Sequence, residues 1–208
     1  MKLAQIKGNY DAIFSLGDHC TPSIQLEKNK LRPYSGVLDW LISLNLSDVN
    51  RLLKNRFQGF MELANLKIIG TAYGKNLLVL DEAYQLSSNH DFFTSKNTLH
   101  ELTAYPEVKA KYDRRVQRFM EKMNTAHHLL FIRCGNHTKE QVDELHAILS
   151  ELVTHDYRLI LVKHSPVQQM IETRCTYDNV CTLELPMDNI LTANDHWWKE
   201  ILDGIHIV

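Results

Sequence analysis

The sequence predicts an α/β fold: three layers in α/β/α order around a mostly parallel sheet, with a small hairpin-and-helix insertion in the first half. Three observations predict it. Short apolar runs at 128–133 (HLLFIR), 158–163 (RLILVK) and 180–185 (VCTLEL) have the length and unbroken hydrophobicity of strands buried on both faces. Helical patterns alternate with strands, which calls for parallel strands joined by right-handed crossovers. The chain also opens on a strand–turn–helix unit of the same kind. Its 208 residues suit a single domain spanning 1–208, with the insertion at about 60–125.

The elements follow in order. Residues 11–16 (DAIFSL) form a strand, Gly17-Asp18-His19 a turn, and Thr21 caps a helix beginning at Pro22. A second helix follows Ser47, with Val49, Leu52, Leu53 and Phe57 on one face. Residues 66–72 and 77–81 read as a hairpin around Tyr73-Gly74-Lys75-Asn76. The polar stretch 84–99, which contains SSNHDFF, reads as a loop. A long helix follows Pro106, with a stripe through Val108, Tyr112, Val116, Phe119 and Met123. Beyond the strand at 128–133, Thr138 and Gln141 form a capping box for a helix striped by Val142, Leu145, Leu149 and Leu152. After the strand at 158–163, Ser165, Pro166 and Gln168 carry the signature of a second, short capped helix. The strand at 11–16 is expected beside those at 128–133, 158–163 and 180–185, in a Rossmann/SGNH-like topology.

Composition narrows the function classes. Hydrophobic residues make up 44% and charged residues 23%, so a core can form. Lys plus Arg total 23 against 25 Asp plus Glu, a net charge of −2, which carries no basic footprint for nucleic acid. Asp11 interrupts the first apolar stretch before a signal-peptide core can form, and no run reaches transmembrane length; a cytoplasmic chain with no membrane partner is expected. Cys20, Cys134, Cys175 and Cys181 make no C-x-x-C pair, so free thiols, no metal site and no cofactor are expected.

In an open parallel sheet, ligands gather at the carboxyl ends of the strands. That rule points to Cys20, to the stretch from Arg133 to Asn136, and to His164. Cys20 stands at a strand-to-helix turn, where the positive end of the helix dipole and the neighbouring His19 favour a thiolate and Asp18 opposes it. A nucleophilic thiol needs a base, and His90 is the first choice, with Asp91, Asp18 or Asp39 to orient it; His164 and His196 are alternatives. Arg133 has the chemistry to bind a carboxylate or phosphate, or to pair with Asp18 or Asp39. Asn136 and nearby amides have the chemistry of oxyanion donors. Cys20 merely packed beneath its helix is the competing outcome.

Gly17-Asp18 resembles the Gly-Asp-Ser block of SGNH-type esterases, but His19 occupies the serine position and Trp198 stands where a histidine should follow Asp195. The denser resemblance is to the DUF1796 group, a bacterial family of unknown function labelled papain-like cysteine peptidases. It is carried by Ser15-Leu16-Gly17-Asp18-His19-Cys20, Leu31-Arg32, Ser35-Gly36, Leu38-Asp39-Trp40, His90-Asp91-Phe92 and Leu130-Phe131-Ile132-Arg133. That resemblance implies Cys20 as nucleophile and a later histidine, His90, as its base. A cysteine hydrolase or acyl transferase acting on a small-molecule or peptide substrate is therefore expected. A ligand-binding α/β domain without catalysis is the alternative, and a serine esterase a distant third.

Overall fold

The computed structural model describes residues 1–187 and 189–208. The chain runs α1 (Leu3–Ile6), β1 (Gly8–Tyr10), β2 (Ala12–Ser15), α2 (Thr21–Lys28), β3 (Leu41–Ile42) and α3 (Leu46–Lys54). It continues with β4 (Leu66–Ala72), β5 (Asn76–Asp81), β6 (Leu86–Phe93), α4 (Tyr105–Thr125), β7 (His128–Cys134) and α5 (Lys139–Leu152). It closes with β8 (Asp156–Ser165), β9 (Ile171–Thr173), β10 (Val180–Pro186), α6 (Asp195–Leu202) and β11 (Ile205–Ile207).

The main sheet has the order β2-β7-β8-β10-β9. The first four strands are parallel and are the four expected together in one sheet, and β9 adds an antiparallel edge. The apolar runs earn this position because alternate residues enter two separate cores. Phe14, Leu129, Phe131, Leu159 and Leu161 join the core that contains residues of α3, α4 and α5. Ile13, Leu130, Ile132, Ile160 and Val162 join a second core with Ile6 of α1, Leu26 of α2 and Trp198 of α6. Both sheet faces are therefore covered, which is why the strands read as unbroken apolar runs. The four parallel strands follow chain order without the reversal that defines a Rossmann sheet, so the molecule is α/β with parallel and mixed sheets, and the expected Rossmann-type order is not the one found.

Two local expectations are corrected. Residues 84–99 contain a strand, β6, rather than a loop throughout. It is the inner neighbour of β5 in a four-stranded antiparallel sheet of order β3-β6-β5-β4. Its polar residues misled the sequence reading because their partners lie elsewhere in the chain. The capped helix expected at Ser165 does not form: the Ser165 hydroxyl donates to Glu184 (2.6 Å) as the last residue of β8 instead of capping. The box at Thr138 does form, the Thr138 hydroxyl accepting from the Gln141 N–H and the Gln141 side chain from the Thr138 N–H. No described helix is long and apolar enough to cross a membrane.

Candidate active site

The site grows from the turn between β2 and α2. Gly17 and Asp18 both take positive φ, +81° and +94°. At Gly17 a Cβ would overlap the Ser43 hydroxyl, so glycine is required by space as well as by dihedral. Ser43 then fastens the turn from the other side: its hydroxyl accepts the Asp18 N–H (2.9 Å) and its N–H donates to the Asp18 carbonyl (2.8 Å). The turn delivers Cys20 to the N-cap of α2, where its carbonyl accepts the Ile24 N–H (3.0 Å).

Cys20 and His19 open onto a cavity of about 600 Å³. The antiparallel sheet supplies the facing wall through Trp40, Leu41 and Ile42, and through Asn89 and His90 of β6. Tyr73 reaches in from the tip of the β4–β5 hairpin, and Met187, Asn189, Ile190 and Leu191 follow β10. The cavity thus sits where the parallel strand ends meet the second sheet.

A bulge places His90. Leu77 pairs with Phe92 and Val79 with Ser88, so Leu78 alone stands opposite Asn89, His90 and Asp91. Such an irregularity breaks strict alternation and redirects side chains. Asn89 and His90 reach the cavity, while Asp91 points into a separate buried network. The His90 ring stacks on Tyr73 (centroids 5.9 Å, 17°) and meets Trp40 edge-on (5.9 Å, 78°). Arg32 lies over the Trp40 ring (5.1 Å).

The electrostatics differ from the expectation for a dipole-activated thiolate. Burial pushes the Cys20 thiol up from its ordinary value, and its own backbone hydrogen bond only partly opposes this. The helix is short, and Pro22 removes an N–H from its first turn. Cys20 nevertheless differs from Cys134 and Cys181, which are sealed in the interior. Among the described residues no hydrogen bond joins Cys20 to a histidine. Within the cavity, His19 has a carboxylate near it, with Nε2 3.9 Å from Asp18 Oδ2.

The remaining sequence candidates lie outside the cavity. The Asp91 carboxylate accepts from Ser88 (2.5 Å), Tyr112 (2.6 Å) and Lys111, and so anchors β6 to α4 rather than touching His90. Asp39 binds the Gly36 N–H (2.8 Å) and Arg32 (3.2 Å). Arg133 is 1% exposed and spends its guanidinium on the carbonyls of Leu16 and Ser43 and the Ser43 hydroxyl; Asp18 lies 3.9 Å away. It braces the turn. Asn136 is exposed. His164 is the penultimate residue of β8, near Asp18 and His19, with burial pushing its pKa down. His196 lies tilted against Trp197 beyond the cavity, and Asp195 pairs with Lys28 (2.7 Å) and Gln25 (2.6 Å). Ser15 is buried at the end of β2, where its hydroxyl accepts the Gly17 N–H (3.1 Å), a placement that removes the serine-esterase reading.

Sequence reasoning missed Tyr73, Asn89 and the cavity role of Trp40. Only the turn-tip position of Tyr73 carried a local signal.

A family model described as "Putative papain-like cysteine peptidase (DUF1796)" matches residues 11–166, a span that includes Cys20 and His90. An uncharacterized protein of Acanthamoeba polyphaga mimivirus is 27% identical, the match covering 75% of this chain and 79% of the viral protein. No solved structure matches the chain.

Proposed function

The chain belongs to the DUF1796 family, and from that premise we propose that it is a cysteine-dependent hydrolase or acyl transferase with Cys20 as nucleophile and His90 as base. The observation that supports this most is that Cys20, at the N-cap of α2, and His90, of β6, line one cavity.

The chemistry begins from a neutral thiol, consistent with burial holding the Cys20 proton on. His90 takes the Sγ proton as sulfur attacks a substrate carbonyl, so the charge on sulfur never has to exist in the resting pocket. Backbone amides at the start of α2 and the Asn89 side chain are the candidate donors to the tetrahedral oxyanion, in place of the exposed Asn136. The carbon–heteroatom bond then breaks, and the proton on His90 passes to the leaving group. A thioester on Cys20 remains. Water releases the acid and restores the thiol, or a second nucleophile takes the acyl group. His19, beside Asp18, is the alternative proton carrier in the same cavity.

A second reading, ligand binding without catalysis, is favoured by the raised Cys20 pKa and by the packing of His90 against Tyr73 and the edge of Trp40. Turnover of p-nitrophenyl butyrate separates the two. Hydrolysis by the full chain that disappears in Cys20→Ala supports catalysis. Equal rates in both proteins, or none in either, would leave the binding domain.

A further inference from the structure

The cysteine-hydrolase reading leaves the acyl group unnamed, and the wall of the cavity supplies its chemistry. Among the described residues that line it, none is Asp, Glu, Lys or Arg. The same cavity is lined by Trp40, Ile42, Tyr73, Ile190 and Leu191. Tyr73 is 77% exposed and Leu191 41% exposed, so large apolar side chains are held at the surface around one opening.

The charged groups nearest the turn are each turned away and paired. Asp18 lies against Gly135, where a Cβ would stand 2.5 Å from Oδ1, and faces Arg133. Asp39 is bound to Arg32, and Asp91 to Lys111. Arg32, whose guanidinium covers Trp40, is already shared between Glu27 (2.6 Å), Ser35 (2.9 Å) and Asp39. No described Lys or Arg therefore lines the cavity to meet a substrate carboxylate or phosphate, and the only basic groups in its described lining are the imidazoles of His19 and His90. Its volume of about 600 Å³ falls in the range of small-molecule sites, roughly 300–1,000 Å³.

We propose that the cavity beside Cys20 receives an uncharged acyl group with an aliphatic or aromatic body and discriminates against acyl groups that carry a carboxylate or phosphate. The proposal rests on the cysteine-hydrolase reading for the reacting carbonyl, but the binding preference is a property of the walls alone. Each methylene that moves from water into such a cavity strengthens binding about fourfold. A buried carboxylate with no partner is disfavoured strongly.

The test compares kcat/KM of the full chain for p-nitrophenyl acetate, butyrate and octanoate and for mono-p-nitrophenyl succinate. A calorimetric titration of Cys20→Ala with octanamide and with succinamate reads binding without chemistry. The expected result is a rise in kcat/KM of about three- to fourfold per methylene until the cavity fills. Succinate falls at least about tenfold below butyrate, and octanamide but not succinamate binds Cys20→Ala. Leu191→Arg places a cation on the exposed rim and is expected to recover the succinate ester. Tyr73→Ala, at an exposed turn, is expected to weaken octanamide. The p-nitrophenyl ester of N-acetyl-phenylalanine distinguishes the source of the apolar group: a higher kcat/KM than the octanoate ester assigns it to a peptide side chain, a lower one to a fatty acyl chain.

Turnover that is flat across chain length, or succinate equal to butyrate, overturns the preference while leaving the hydrolase reading intact. Octanamide binding to Cys20→Ala without turnover of any ester by the unaltered chain sinks the hydrolase reading and keeps the preference. Neither turnover nor binding overturns both.

Discussion

Cys20 stands in a turn that tolerates few other residues: Gly17 faces the Ser43 hydroxyl, Gly135 faces the Asp18 carboxylate, and Arg133 ties Leu16 to Ser43 beneath them. The position of the thiol was legible in the sequence because a glycine after a short strand and a proline opening a helix are local signals. Its ionisation was not, because the burial that governs it comes from chain segments far away. Burial raises the Cys20 pKa, so the thiolate fraction lags behind that of an ordinary thiol and catches up only as pH climbs past the usual cysteine value. Alkylation by iodoacetamide, followed by peptide mass spectrometry, is expected to give a Cys20 rate–pH curve displaced to higher pH than that of N-acetylcysteine. A curve displaced to lower pH would mean a preformed thiolate and would remove the neutral-thiol mechanism.

At the scale of elements, β6 separates what periodicity can see from what it cannot. SSNHDFF lacks alternation because a bulge interrupts it, and its buried polar residues have partners on α4, in Lys111 and Tyr112. A strand stabilised by such long-range bonds carries no local apolar pattern. The helix mistakenly expected at Ser165 makes the opposite point: a complete capping signature lost to a sheet that extends β8 through the same residue. The 139–152 helix was legible because cap and apolar stripe agree with its tertiary place. Asp91 also belongs to this scale. Burial pushes its carboxyl up, but Lys111 and the hydrogen bonds from Ser88 and Tyr112 outweigh burial and leave it below the usual carboxylate value. Its stabilisation is present when it is ionised, above the unfolded carboxylate pKa of about 3.9, and is lost as pH falls through the lower folded value. Urea denaturation of Asp91→Ala is expected to show a loss of about 3 kcal/mol at pH 7, shrinking in acid, because Lys111 and Tyr112 lose their common partner. Were Asp91 instead the orienting group of a catalytic histidine, the change would lower ester turnover with little loss of stability.

The whole molecule joins a parallel sheet, whose four strands the apolar runs marked, to an antiparallel sheet that the sequence showed only as a hairpin. The candidate site forms where they meet. Cys20 was chosen from the sequence for its turn and His90 for an expected loop that proved to be β6, the family resemblance pointed to both, and the fold opens both onto one cavity. The apolar walls were beyond reach because Trp40, Tyr73 and Leu191 come from three separate stretches that only the tertiary fold brings together. The central claim is that His90 activates Cys20 toward a carbonyl. It is tested most directly by rapid-quench intact-mass measurement of acylation by p-nitrophenyl butyrate in the unaltered chain and in His90→Ala. The account predicts a single acyl group on Cys20, formed at least about 100-fold more slowly without His90, the usual scale of general-base assistance. Acylation at the same rate in both proteins, no faster than that of N-acetylcysteine, would contradict it.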